Sequence, residues 1–201
     1  MVLAHGGSNT SVVSVTWDSA NMGPDLVLSN GDLTISQGKA SADWQQAIAT
    51  LGRSTGKYYF EVYVNSGTSV VTIGIQDGTE NFDSYTGDSP DGWGFMSNSR
   101  FYNAGVVAPV PYTDYTTGDI IGVAVDLDAH KIWWSKNGTW ISTAAGTANP
   151  VTGAYPGYSN LYSAAMYPAG TVYLTTDQII GRFKASDQTY SVPSGFVAWE
   201  S

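Results

Sequence analysis

The chain of 201 residues is predicted to be all-β, a sandwich or barrel, and three observations carry that expectation. Glycine (23), tyrosine (13) and tryptophan (7) are plentiful while charged residues make up only 12%. Turn formers and pleat-filling aromatics in that proportion disfavour helical bundles. Strand-like runs recur between turn signals from Val13 to Trp199, and no biased linker marks a second domain. The densest signal lies at residues 118–141. There Ile121, Val123, Val125 and Leu127 alternate with small or polar residues, Asp128, Ala129 and His130 offer a turn, and Ile132 and Trp134 resume the alternation. Asn137 and Gly138 then tolerate the positive φ angles of a tight type I′ hairpin, so a three-strand meander is expected.

In chain order, residues 1–13 are small and polar with His5, Gly6 and Gly7, and read as a short flexible arm ahead of one domain at 14–201. Strands are expected at 13–17, 26–28, 33–36, 57–64, 70–75, 92–96, 101–102, 120–127, 132–136, 163–166, 172–174 and 196–199. Residues 43–51 read as either one short turn or a strand. The 57–64 run has aromatic or β-branched residues on both faces, so it is expected to lie centrally with a cover on each side. Long polar loops at 76–91 and 104–118, and a Gly/Ala/Asn/Pro-rich one at 143–160, are where a rigid sandwich would carry binding residues.

The formal net charge is −9, from 8 basic and 17 acidic residues, and Arg182 with Lys184 is the densest basic pair. Phosphate binding needs clustered Lys and Arg, so no nucleic-acid partner is expected. Without cysteine there are no disulfides or zinc-thiolate sites, and the redox compartment stays open. No run of 18 apolar residues occurs, so no membrane insertion is expected. The start lacks a charged segment followed by a long apolar one, so no signal peptide is expected either.

Side-chain chemistry points to binding rather than catalysis. His5 lies in the arm and His130 in a turn, which leaves no Ser-His-Asp set to assemble. Paired carboxylates could serve a glycosidase, yet Glu61, Glu80 and Glu200 are the only glutamates. Glu61 faces away from Phe60 and Val62 and is weighed as a strand residue at the sheet surface before a catalytic one. Asp126 and Asp128, and the acidic run Asp77, Glu80, Asp83, Asp88 and Asp91, offer oxygen ligands for calcium, but the spacing is not that of an EF-hand, and solvated loops are expected instead. No metal and no cofactor are expected. Trp17, Trp93 and Trp134 are assigned to the core. Trp133 points opposite to Ile132 and Trp134, so it is either exposed or covered by another sheet or subunit. Trp140 follows the hairpin turn, and both are kept as candidate binding residues.

Residues 49–62, with Gly56, Lys57, Tyr58, Tyr59, Phe60, Glu61 and Val62, resemble the signature strand of the SPRY domain family. Ile73-Gly74-Ile75, Trp93-Gly94-Phe95, Tyr102-Asn103-Ala104-Gly105 and the block from Gly118 to Gly138 are similar to that family's further motifs, in the expected order. The resemblance implies a bent antiparallel β-sandwich, a concanavalin-like jelly roll, and binding at loops on one end of it. The positions matching that surface are Asn81, Phe82 and Tyr85 in the acidic loop, and Tyr167 with Pro168. The ending, residues 187–199, and the segment 133–140 are similar to SPRY-like modules of bacteriophage structural proteins. This implies a non-enzymatic virion surface protein, for capsid decoration, head fibre or tail adhesion, assembled in the host cytoplasm. Expected partners are capsid or tail subunits reached through the arm, a host-surface glycan or protein, and further copies of the chain. A glycan-binding adhesin is the alternative, and an intracellular peptide-binding adaptor the more distant one.

Overall fold

Ten residues of unbroken extended sequence, KYYFEVYVNS, form the longest strand and the centre of one sheet. The computed structural model describes residues 14–40, 42–67, 70–108, 114–143, 146–162 and 164–201. In chain order its strands are β1 (Trp17–Met22), β2 (Leu26–Ser29), β3 (Thr34–Gln37), β4 (Gln45–Ala49), β5 (Lys57–Ser66), β6 (Thr72–Gln76), β7 (Gly92–Met96) and β8 (Arg100–Asn103). They continue as β9 (Val106–Ala108), β10 (Ile120–Asp126), β11 (Lys131–Lys136), β12 (Thr139–Trp140), β13 (Tyr167–Val172), β14 (Gln178–Arg182) and β15 (Val197–Ala198). A first sheet runs β1-β4-β13-β6-β7-β8-β9, and a second runs β12-β11-β10-β5-β14-β3-β2 with β15 added beside β5. All pairings are antiparallel except β15 with β5. The fold is thus an antiparallel β-sandwich.

Alternation sorts the side chains as expected of two facing sheets. Ala47, Ile73, Ile75, Trp93, Phe95 and Phe101 of the first sheet meet Ile35, Phe60, Val62, Val123, Ile132 and Trp134 of the second in one core. Trp17, Trp93 and Trp134 are each no more than 1% exposed. Trp134 stacks on Phe101 (4.6 Å between centroids) and donates its indole N–H to the Ile73 carbonyl across the sandwich (3.0 Å). Gly170 permits the close approach of the sheets, since a Cβ there would stand 2.6 Å from Ile179 Cδ1.

The meander forms as read. β10 pairs with β11 from Ile121 opposite Lys136 to Asp126 opposite Lys131, and Asn137 (φ 48°) and Gly138 (φ 77°) make the tight turn into β12. β5 lies centrally between β10 and β14. Residues 43–51 contain the strand β4, buried along its whole length. Other expectations change. The strand expected at 13–17 begins at Trp17 and runs on to Met22, while Val13 and the arm lie outside the described residues. Of the strand expected at 163–166, residue 163 lies outside the described residues, and Met166 pairs only in an isolated bridge with Arg53. The sheet starts at Tyr167, and 172–174 is the end of that same strand, β13. Pro168 and Gly170 disguise β13 as a turn. Its ladder with β4 begins only at Ala169, so the missing Pro168 N–H is not needed there. β14 escaped notice because its five residues follow a Thr-Thr-Asp turn with only Ile179 and Ile180 to mark it.

Candidate functional site

Whether a face of this sandwich is open is decided by the chain that crosses it. Between β6 and β7 the acidic loop leaves the sheet, traverses the outer face of the first sheet and returns. Its base is closed by the Asp77 N–H donating to the Asp91 carbonyl (3.1 Å). Its far side is tied to β4, where the Gln46 N–H donates to the Phe82 carbonyl (3.0 Å), Gln46 Nε2 to the Asn81 carbonyl (2.8 Å) and Gln45 Nε2 to Asp83 Oδ1 (2.8 Å). Under the loop lies a sealed polar layer. Gln76 Nε2 and the Thr86 hydroxyl both donate to Gln46 Oε1 (3.0 and 2.9 Å), and the Thr86 N–H donates to Thr171 Oγ1 (3.0 Å). The packing is flush, since a Cβ on Gly94 would stand 2.2 Å from the Thr86 carbonyl oxygen.

Glu80 anchors the loop from inside. Its carboxylate, 5% exposed, accepts the N–H groups of Gly87 (3.2 Å) and Ser89 (3.1 Å) and the Ser89 hydroxyl (3.0 Å). Burial outweighs these donors and pushes its pKa up to about 7. A carboxyl whose pKa is raised by folding binds more protons in the native state, so its stabilisation is full below about 4.5 and lost as pH rises through about 7. Thermal melts should therefore show stability falling by about 2 kcal/mol, roughly 4–8 °C, between pH 5.5 and 8. Glu80→Gln should flatten that slope, and an unchanged slope in the variant would place the titration elsewhere.

Beside this loop the sheet leaves a recess. β1 and β4 pair at Trp17 opposite Ala49 and again at Met22 opposite Ala47, so the residues between bulge out of register. The bulge is self-braced, with Asp18 accepting the Ala20 N–H (2.9 Å) and Asn21 Nδ2 (2.8 Å). Asp18 and Asn21 form one side of a cleft of about 240 Å³, Asp77 and Gly78 the other, with Ile48, Thr50 and the Tyr167 ring between them. Tyr167 is half-buried and lies against Gly52, where a Cβ would come within 2.6 Å of the ring. Asp77 accepts the N–H (2.9 Å) and hydroxyl (2.6 Å) of Thr79, and its other oxygen faces the Tyr162 hydroxyl (2.7 Å). That hydroxyl also meets Asp91 (3.0 Å), and burial together with the two carboxylates drives the phenol far above its usual range. No Lys or Arg lines the cleft.

The second sheet's outer face is closed by the chain's own end. Trp133 is 0% exposed, packed with Tyr59, Ala124, Ala148 and Phe196, and its indole N–H donates to the Ala154 carbonyl (2.9 Å). Trp133 is thus covered rather than exposed, and the cover is residues 148–154 and the C-terminal segment of the same chain, not another sheet or subunit. Trp140 is half-buried against that cluster, edge-on to Tyr59. Glu61 is likewise sealed rather than lining a surface. It is 0% exposed and accepts the Tyr59 hydroxyl (3.0 Å) and the N–H groups of Thr189 (2.7 Å) and Tyr190 (2.8 Å), with Arg182 at 3.7 Å. Asp126 pairs with Lys57 (2.8 Å) and accepts the Ala129 N–H, while Asp128 accepts the Gly56 N–H (3.0 Å), so both serve the strand ends. Among the described residues no three acidic or histidine side chains converge on one point.

Asn81, Phe82, Tyr85 and Tyr167 thus share the outer face of the first sheet, while Trp133 and Trp140 lie on the other side of the molecule. Asn81 is exposed and Phe82 half-buried. Tyr85 packs between Trp44 and Tyr102 at 5.1 and 5.4 Å. Sequence reasoning missed Asp18, Ile48 and Trp44. Trp44 lies within residues 43–51, which read as either one short turn or a strand, and an aromatic at the start of that segment is the available signal.

The fold is thus a two-sheet sandwich with a recess on the outer face of its first sheet, between the β1 bulge and the acidic loop. The chain belongs to the SPRY domain family, whose match spans residues 57–161, just over half of the chain. The SPRY domain of human HERC1 superposes with a TM-score of 0.66 at 19% identity, covering 87% of this chain and 99% of that one. The stonustoxin structure superposes at 0.63 and 21% identity over 83% of this chain and 26% of the toxin chain. A dual specificity protein kinase of Dictyostelium discoideum, splA, is 23% identical over 55% of this chain, which spans only 5% of the kinase. SPRY domains are protein-interaction modules and are in general not catalytic. No helix among the described residues is long and apolar enough to cross a membrane.

Proposed function

We propose that this chain is a non-enzymatic peptide-binding module that receives a partner segment in the cleft beside the acidic loop. The observation that supports this reading is the recess itself, with an aromatic ring, an aliphatic side chain and two carboxylates between a β-bulge and a braced loop. Such a site combines apolar contact with polar selection on pre-organised backbone. An intracellular adaptor and a virion surface subunit would use the same face. The virion role, with the arm docking on a neighbouring subunit, rests on the phage-like ending, and the relatives named above add nothing to it. A glycan-binding adhesin built on Trp133 loses its contact residue, because Trp133 is sealed.

Selection of a displayed random-peptide library against the domain tests the proposal. Enriched peptides should bind with an affinity that Tyr167→Ala weakens by about ten-fold, on the order of 1.4 kcal/mol. Val197→Asp, at an exposed position on the opposite sheet, should leave binding unchanged. Failure to enrich any peptide, or enriched peptides indifferent to Tyr167→Ala, would overturn it.

A further inference from the structure

Across the acidic loop from that cleft, four rings from four separate segments form a row. Trp44, just before β4, lies 4.7 Å from Tyr173, just after β13, and 5.1 Å from Tyr85 in the loop, which in turn lies 5.4 Å from Tyr102 on β8. Tyr173, Trp44 and Tyr85 are half-buried, so each keeps an edge or a face in solvent. Trp44 also differs from most tryptophans of the chain. Trp17, Trp93, Trp133, Trp134 and Trp199 each donate the indole N–H to an acceptor within the protein. The Trp44 indole N–H has no acceptor among the described residues and is not sealed from solvent. Trp140 shares that freedom but sits edge-on to Tyr59 against the Trp133 cluster rather than in a row.

We infer that this row is a docking site for a proline-rich segment of a protein partner, with the Trp44 indole N–H donating to a peptide carbonyl. A polyproline II strand has no internal hydrogen bonds, so its carbonyls are free acceptors, and its ordering cost is low because the conformation is preformed. One turn of it spans on the order of 9 Å, comparable with the stretch bracketed by Tyr173 and Tyr85. The tilt of the rings favours this occupant over a sugar. Trp44 meets Tyr173 at 45° and Tyr85 at 54°, and Tyr85 meets Tyr102 at 75°. Sugars stack on flat rings, whereas mutually tilted rings form ridges between which proline rings insert.

Charge narrows the partner further. Asp43 adjoins Trp44 and Asp88 lies against the Tyr85 hydroxyl, and the nearby Lys39 is already paired with Asp25 and Asp43. The segment that fits carries an Arg or Lys beside its prolines. This site is separate from the Tyr167 cleft, and the two stand or fall independently.

Titration of the intact chain with a synthetic peptide Arg-Pro-Leu-Pro-Pro-Leu-Pro, followed by tryptophan fluorescence and calorimetry, tests the inference. Saturable binding is expected, with about ten-fold loss in Trp44→Ala and a smaller loss in Trp44→Phe, which keeps a ring and removes the donor. Tyr167→Ala should leave it unchanged, and the same peptide with glycine for each proline should not bind. Circular dichroism and melting of both Trp44 variants separate lost contact from lost fold. Absence of binding by the proline peptide, binding indifferent to Trp44→Phe and Trp44→Ala in folded variants, or Trp44-dependent binding of chitohexaose in its place would overturn the inference.

Discussion

Trp133→Ala is expected to destabilise the domain by about 3–5 kcal/mol, a loss typical of a fully buried tryptophan. The ring is sealed by Phe196 and Ala148 above and by Tyr59 and Ala124 from its own sheet, and its N–H bond to Ala154 has no substitute. The denaturation midpoint should fall with little change in slope, and melting should drop by roughly 10 °C or more. Trp140→Ala, at the half-buried edge of the same cluster, should cost about 1–2 kcal/mol. Equal and small losses for the two would mean that the C-terminal segment does not cover the second sheet.

Glu61→Ala should cost about as much, on the order of 3–5 kcal/mol, for an electrostatic reason. The carboxylate gathers a tyrosine hydroxyl, two backbone N–H groups and the Arg182 guanidinium in a site shut off from water. Removing it orphans the two backbone N–H groups, while Arg182 keeps the Thr189 hydroxyl as an acceptor. Hydrogen exchange of the Thr189 and Tyr190 amides should accelerate more than that of the core strands, since those amides donate to Glu61 directly. Glu61→Gln retains an acceptor and should cost less. A Glu61→Ala variant as stable as the parent, with unaltered exchange at Thr189, would remove this carboxylate as the clasp of the C-terminal segment.

Both effects concern contacts between residues far apart in the chain, and that is where the sequence was least legible. Alternation in residues 118–141 fixed the meander, and the Asn137-Gly138 turn set its register, because those determinants are local. Alternation also assigned Trp133 to the face opposite Trp134. It could not say what lies over that face, since the cover comes from residues 148–154 and 192–196 rather than from a neighbouring strand. Glu61 was misplaced at the surface for the same reason. β13 was hidden by a Pro-Ala-Gly run that normally signals a turn. Of the residues reached only through the family resemblance, Tyr167 lines the cleft, while Asn81, Phe82 and Tyr85 belong to the loop beside it. Asp18 and Ile48 join Tyr167 where β1 bulges out of register with β4, a feature that depends on strand pairing and leaves no local pattern.

The most direct test of the proposal that partners bind on the outer face of the first sheet is an amide chemical-shift map. A peptide selected by display would be titrated into the isotopically labelled chain. The expected shifts concentrate at Asp18, Asp77, Gly78 and Tyr167, with those of Tyr59, Thr189 and Tyr190 unmoved. Shifts centred instead on Trp140 and the C-terminal segment would contradict that placement.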